Sequence, residues 1–305
     1  MEAQAVQEER QGNLAARVAI GFVLVSGLLY VLGYSLSKML VGTYGLTALQ
    51  VTFLRCALVL TASCAALPWP RTGVTWERLW RPARAWEQRA AAAALVASNA
   101  LAVLAYSIMP VTAASALGFM APLLLTALGG LVLRERVPIG RWLGTAAGFA
   151  GMLLVVKPGT SPAFAGVAAS VGAAATYAIY QVLVRRLREV ATSLDTAMQV
   201  ALVGVILLAG TMFAFWHQVD WAAFGVVLVF TVVQTAALAS IAAALRRSEA
   251  SRLAPWQFSG LLWAMLLDAV MFGAVPSAGA LLGSALIIAG GLLAQSGIQR
   301  RQRTN

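Results

Sequence analysis

Apolar and polar positions along this chain come in long blocks. Runs of about twenty almost wholly apolar residues recur from one end to the other, and a helix needs that length to cross a bilayer. Ten such runs lie at roughly 18–40, 46–68, 90–109, 111–133, 139–157, 163–184, 195–216, 222–245, 252–274 and 277–298. Several are close to the lower limit for a spanning helix, about 17 residues. Their connections are short, and Pro110, Pro138, Pro158 and Pro276 mark four of them. Residues 1–17 are polar and charged, and the apolar run that follows has no small-residue cleavage site. It therefore reads as a first spanning helix rather than a removed signal. The pattern predicts an all-α integral membrane protein with ten transmembrane helices.

Composition agrees with that pattern. The 305-residue chain is 60% hydrophobic, with a mean hydropathy of +0.81. Only 11% of it is charged, against about 25% in soluble domains. A net charge of +11 would suit a nucleic-acid partner, but the basic clusters are short and flank spans, so no nucleic acid is expected. Of the 22 Lys and Arg, 19 fall in the N-terminal tail, the even-numbered connections and the C-terminal tail. The exceptions are Lys38 and Lys157, at the opposite ends of spans, and Arg55, inside the second span. Cationic loops stay in the cytoplasm, so both termini are expected there. Cys56 and Cys64 share one span, lie about 12 Å apart along its axis and cannot pair; both are expected to be buried packing residues.

The chain carries an internal repeat. "LGTAAGFAGMLLV" at 143–155 aligns with "LGSALIIAGGLLA" at 282–294 at a constant offset of 139 residues, with Gly144 on Gly283 and Gly151 on Gly290. Each segment closes a block of five spans, and five is odd, so the two blocks have opposite topology. Such inverted repeats are common in secondary transporters, with the substrate site at their interface. The expected units are a cytoplasmic tail at 1–17, a first five-helix repeat at 18–158, a second at 159–298 and a basic cytoplasmic tail at 299–305. The small-residue spacings Gly144–Gly148 and Gly279–Gly283 suit close helix packing, with a dimer contact as the alternative.

Two stretches carry a family resemblance. "APLLLTALGGLVLRERVPIGRWLGTAAGFAGMLLVVKPG" (121–159) and "ASRLAPWQFSGLLWAMLLDAVMFGAVPSAGALLGSALIIAGGLLA" (250–294) resemble the ends of the two repeats in EamA-type drug/metabolite transporters. Arg55, in "TFLRCALVL", stands where that family often has an arginine. The resemblance covers nearly all of residues 18–298. It implies a ten-helix inverted-repeat carrier, many of whose relatives export amino acids and other small metabolites. The chain departs from the family in two places. Phe272-Gly273-Ala274 stands where the second repeat often reads Phe-Gly-Glu, and Asp268, opposite Gly129, stands where a small residue is usual.

Polar residues inside a membrane are costly and tend to face the bundle interior or a wet cavity. Asp268 is the one acid placed deep within a span; the other ten acids lie in tails, connections or span ends. It can bind a cationic substrate group, carry a coupling proton, or pair with Arg55. Gln257 lies about three turns before Asp268 on nearly the same face, and Trp263 lies well round that helix. In the first span Tyr30, Tyr34 and Lys38 follow one another at intervals of four. The sixth span carries Tyr177, Tyr180 and Gln181, and by the resemblance both helices face the central cavity. Tyrosines join an apolar ring to a hydrogen-bonding tip, which suits an amphipathic metabolite; Tyr30 and Tyr177 read equally as interfacial belt residues. Asn99 and Gln234 complete the substrate-binding candidates, and Arg55 and Lys38 join Asp268 as candidate coupling or structural charges.

No G-x-x-x-x-G-K-[ST] phosphate loop is present, so the chain is not an ATP-driven pump by itself. No Ser/His/Asp, zinc-ligand or G-x-S-x-G arrangement occurs either. No enzyme activity, cofactor or metal is expected. The expected protein sits in the bacterial inner membrane as a monomer or homodimer. It exports a small polar or amphipathic metabolite, such as an amino acid or an opine-type metallophore, with the proton as the candidate coupling ion. A multidrug exporter of organic cations is the alternative within transport. A membrane-embedded enzyme or a scaffold subunit is the alternative outside it.

Overall fold

The structure, a computed structural model, describes residues 2–69, 72–121, 162–187, 189–245 and 259–302 continuously, with 124, 143, 144, 146–148, 150, 151, 154 and 256 besides. Among these residues all regular backbone is helical. The continuous helices are α1 (Glu2–Gly42), α2 (Ala48–Ala66), α3 (Trp76–Trp80), α4 (Ala85–Ile108), α5 (Val111–Gly118), α6 (Pro162–Leu187), α7 (Ser193–Phe215), α8 (Trp221–Leu245), α9 (Ser259–Phe272) and α10 (Ala278–Gln302). Six segments are long and apolar enough to cross a membrane, and they fall in α1, α2, α4, α6, α7 and α8; α9 and α10 contain shorter apolar stretches. Most of the expected span at 139–157, and the second half of that at 111–133, lie outside the described residues.

The polar tail is not separated from the first span by a break. α1 is continuous from Glu2, because residues 2–17 are rich in Ala, Glu, Gln and Arg and hold no Pro, and these helix formers override the turn signal Gly12-Asn13. Helix starts obey local chemistry. Thr47 caps α2 by accepting from the Gln50 N–H, and Thr192 forms a reciprocal capping box with Asp195 at α7. Pro110 precedes α5 and offers no side-chain acceptor. α9 ends on Gly273, whose φ of 63° is the left-handed conformation that glycine adopts at low cost, and the Ala274 N–H closes back on the Asp268 carbonyl.

The helices pack in matched pairs. α1 lies along α8 and α4 along α6, while α2 lies along α7. The first pair is held by the Ser26 hydroxyl donating to the Ala237 carbonyl at 2.8 Å, and the second by Ser98 donating to the Ala173 carbonyl at 2.8 Å. Ser98 and Ala237 stand 139 residues apart, the same offset as the glycine segments. The α2–α7 pair is clasped at both ends. Gln50 Nε2 donates to the His217 carbonyl just past α7, at 2.7 Å, and the His217 N–H donates back to Gln50 Oε1. Gln199 Nε2 donates to the Arg78 and Leu79 carbonyls past α2, at 3.0 and 2.8 Å. The two glutamines sit in a short sequence echo, "TALQV" (47–51) and "TAMQV" (196–200), and both are fully buried.

Close glycine contacts join the two 139-offset segments. A Cβ on Gly151 would stand 2.6 Å from the Gly283 carbonyl oxygen, and one on Gly290 would stand 2.5 Å from that of Gly144. No side chain fits at Gly151 or Gly290, and the backbones they meet are those of Gly283, Gly144 and Gly148, three of the four glycines expected to pack closely. Cys56 is buried, as expected, and its Sγ occupies the space beside Gly204. Cys64 is exposed, which corrects the expectation that both thiols are buried. A small apolar thiol is as well placed against lipid tails as in a core, so composition alone does not distinguish the two. Trp69, Trp76, Trp80, Trp86 and Trp221 are all strongly exposed, as interfacial anchors are.

Candidate functional site

Two polar sites lie inside the apolar bundle. The first gathers at the end where α1, α4 and α9 finish and α5 begins. Asp268, only 1% exposed, accepts from the Val111 N–H at 2.8 Å through Oδ1 and from the Thr112 N–H at 2.6 Å through Oδ2. These are the first two N–H groups of α5, which have no partner within their own helix. Pro110 contributes no acceptor, so a carboxylate from α9 takes the place of the missing cap. The positive end of the α5 dipole meets that negative charge. Lys38, on the last turns of α1, lies within electrostatic reach of Asp268. Its Nζ donates to the Met109 carbonyl at 3.2 Å and lies 4.4 Å from the centroid of the Phe272 ring. The Tyr106 and Ser115 hydroxyls hydrogen-bond at 2.9 Å beside them, joining α4 to α5.

Both carboxylate oxygens of Asp268 are thus engaged by backbone. The Asp268–Arg55 pair, one of the alternatives for this acid, is not formed. Arg78 pairs with Asp195 and Arg84 with Glu87, both acids standing in the first turn of their helices.

The second site is a tyrosine cluster at mid-bundle. Tyr34 stacks on Tyr106 with centroids 4.4 Å apart and planes 8° from parallel, and Tyr30 meets Tyr34 edge-on at 4.8 Å. From α6, Tyr177 and Tyr180 lie 5.6 Å apart, and Tyr177 is within electrostatic reach of both Tyr30 and Tyr34. The Tyr34 hydroxyl donates to Asn99 Oδ1 across a long 3.4 Å. Tyr34 and Tyr106 are buried, whereas Tyr30 and Tyr177 keep 44% and 38% of their surface exposed. The cluster therefore borders accessible space on one side.

Arg55 of α2 reaches this cluster. Its guanidinium lies 6.0 Å from the Phe230 centroid and within electrostatic reach of Tyr34. Its Nε is buried without a hydrogen-bond partner. Gln234 of α8 is buried with its side chain pressed against Gly33, where an added Cβ would come within 2.8 Å of it. Trp263 of α9 lies against α1 at Gly27, and its buried Nε1 has no hydrogen-bond partner. Gln181 is half-buried beside Tyr180. Gln257 lies outside the described residues.

So Tyr34, Asn99 and Arg55 come together, Tyr180 adjoins the cluster through Tyr177, Gln234 packs one residue from Tyr34 on the face of α1 towards α8, and Lys38 and Asp268 form a separate group. Tyr106 joins both groups, and sequence reasoning did not single it out. Its one signal was a polar ring in the apolar run "LAVLAYSIM".

The EamA-like transporter family matches the chain twice, over residues 17–157 and 164–295. The riboflavin transporter of Vibrio cholerae serotype O1 (strain ATCC 39315 / El Tor Inaba N16961) is 30% identical over 188 residues, which span 61% of this chain and 62% of that protein. A solved structure titled only as the crystal structure of a protein superposes with a TM-score of 0.63 at 19% identity. That superposition covers 91% of this chain and 98% of the other, and shows a shared fold.

Proposed function

The chain belongs to the EamA-like transporter family, and from that premise we propose that it is a secondary-active exporter working by alternating access in the bacterial inner membrane. It is a multi-pass membrane transporter; direction, mechanism and substrate class are the proposal. The observation that carries it is the exchange of contacts between the two halves. If α1 corresponds to α6, α2 to α7 and α4 to α8, the α1–α8 and α4–α6 contacts are images of each other, as are the two glutamine clasps, and each helix pair has one serine bond, with donor and acceptor helices exchanged. The glycine contacts follow the same exchange. A pseudo-two-fold of this kind supports two inverted five-helix repeats at 18–158 and 159–298, and the arginine bias of the connections supports cytoplasmic termini. Two equivalent packings of near-equal energy are what a carrier needs to open alternately to each side.

On this reading the substrate lies between the halves, against the tyrosines, Asn99 and Gln234. A small amphipathic metabolite fits that lining, and amino acids and amino-acid-derived compounds are the leading class. A second class is a flat heteroaromatic such as riboflavin. The Tyr34–Tyr106 stack favours it, as does the named activity of the Vibrio relative. An exporter of organic cations would rely on the tyrosine rings rather than on Asp268, whose carboxylate is engaged by α5.

Counterflow in proteoliposomes containing this protein alone tests the proposal. Labelled amino acids, amino-acid conjugates, riboflavin and a quaternary amine should be compared. Uptake of at least one metabolite against its preloaded unlabelled form is the expected result. No counterflow across the panel would favour a scaffold or enzyme role.

A further inference from the structure

The deep charge left without a partner beside the tyrosine cluster is positive. Arg55 lies within α2, seven residues from its first residue Ala48, which is about 10 Å along the axis. A guanidinium at such depth is expensive unless it has a partner or a task. Its buried Nε has no acceptor. The Phe230 ring, at 6.0 Å, is at the limit of useful cation–π contact, about 6 Å. No described acid pairs with it, and the acid nearest in depth, Asp268, is held by Val111 and Thr112. We infer that Arg55 and the Tyr30–Tyr34–Tyr106 cluster form a subsite for an aromatic organic acid, Arg55 taking the carboxylate and the tyrosines taking the ring.

The chemistry fits each part. A guanidinium presents five donors in a planar fork that matches a carboxylate, and charge-assisted bonds of this type are about twice as strong as neutral ones. Tyr34, stacked on Tyr106, lies within electrostatic reach of that fork, and Tyr30 and Tyr177, which keep 44% and 38% of their surface exposed, supply the accessible ring surface. An anionic substrate also changes the energetics of export. The membrane is negative inside, so an anion leaves down the electrical gradient. Each charge per 100 mV supports an outward ratio of roughly 45-fold without any coupling ion. This inference rests on the transport reading of the same site and narrows its substrate class.

The test uses one ring with three charges: indole-3-acetate, indole-3-acetamide and tryptamine. Binding to the detergent-purified protein is read by ligand-induced thermal stabilisation. The acid is expected to act at a concentration at least about tenfold below that of its amide, with the amine weakest. Arg55→Gln should lower the acid's affinity at least about tenfold more than the amide's, and Arg55→Lys, which keeps the charge and loses the fork, should fall between. In proteoliposomes, acid uptake should accelerate when valinomycin sets the interior positive. If the acid does no better than the amide in the wild-type protein, or if Arg55→Gln leaves their ratio unchanged, the subsite is overturned. Tight acid binding without flux would leave the subsite standing and remove the transport reading. Flux of the amide or the amine with no preference for the acid would do the reverse.

Discussion

Asp268 and Arg55 both stand in apolar helices, yet the protein treats them in opposite ways. Asp268 is almost wholly buried, with each carboxylate oxygen on a backbone N–H, a helix dipole pointing at it and Lys38 nearby. Arg55 is half-buried with its Nε unpaired and a distant ring for company. The fold has compensated one charge internally and has left the other uncompensated at the edge of an aromatic cluster. A buried charge with both oxygens engaged by backbone holds structure together, whereas a buried charge with a donor to spare is available to a ligand.

Stability measurements separate the two most sharply at Asp268. Asp268→Ala strips the cap from α5 and leaves Lys38 without its countercharge. Two charge-assisted hydrogen bonds of this kind are worth about 4 kcal/mol together. Asp268→Asn keeps the shape but offers one good acceptor, and its amide opposes a backbone N–H; about 2 kcal/mol is expected to be lost. Thermal unfolding in detergent should therefore rank wild type above Asn above Ala. Equal melting temperatures for all three would remove the structural role from Asp268 and erase the contrast.

Lys38→Met comes next. It removes a bond to the Met109 carbonyl and the contact with the Phe272 ring, about 1–2 kcal/mol in all. Its effect should shrink in the Asp268→Asn background, because the two residues share one electrostatic group. Additive losses would mean that Lys38 acts only on Met109 and Phe272.

The neutral bonds calibrate these figures. Ser26→Ala and Ser98→Ala each remove one hydroxyl-to-carbonyl bond between paired helices, at the same 2.8 Å. Each should cost about 1 kcal/mol, and the two should match. A large inequality, read from the same unfolding curves, would show that the two helix pairs are not equivalent.

Much of this was legible in the sequence. Apolar block length marked the long helices, and the 139-residue offset of the glycine segments, shared by Ser98 and Ala237, pointed to the paired packing. Tyr34, Asn99 and Tyr180 were identifiable as polar groups in apolar runs. The partners of Asp268 were not. Val111 stands 157 residues away, and its demand for an acceptor follows only from Pro110 having no side-chain oxygen. The acid looked isolated because isolation along a chain says nothing about isolation in space. The glutamine clasp was hidden for a different reason. "TALQV" and "TAMQV" are offset by 149 residues, so they fall out of register with the glycine segments, and loop-length differences absorb the discrepancy. The exposure of Cys64 was unreadable because lipid and core are both apolar.

The smallest stability effect belongs to Arg55, and its sign decides the comparison. Arg55→Met keeps an unbranched apolar stem in place of the arginine's own and removes the guanidinium, with its 6.0 Å approach to Phe230. Replacing buried charges by apolar groups of similar volume is often neutral or stabilising. The half-buried position leaves part of the guanidinium cost to solvent, so the gain is small. The melting temperature should stay within the equivalent of about 0.5 kcal/mol of wild type, or rise. Because Arg55 is not used to hold the helices, the loss should appear in ligand discrimination instead. A drop approaching that of Asp268→Ala would show that Arg55 is as fully compensated as Asp268, and the two charges would then be alike.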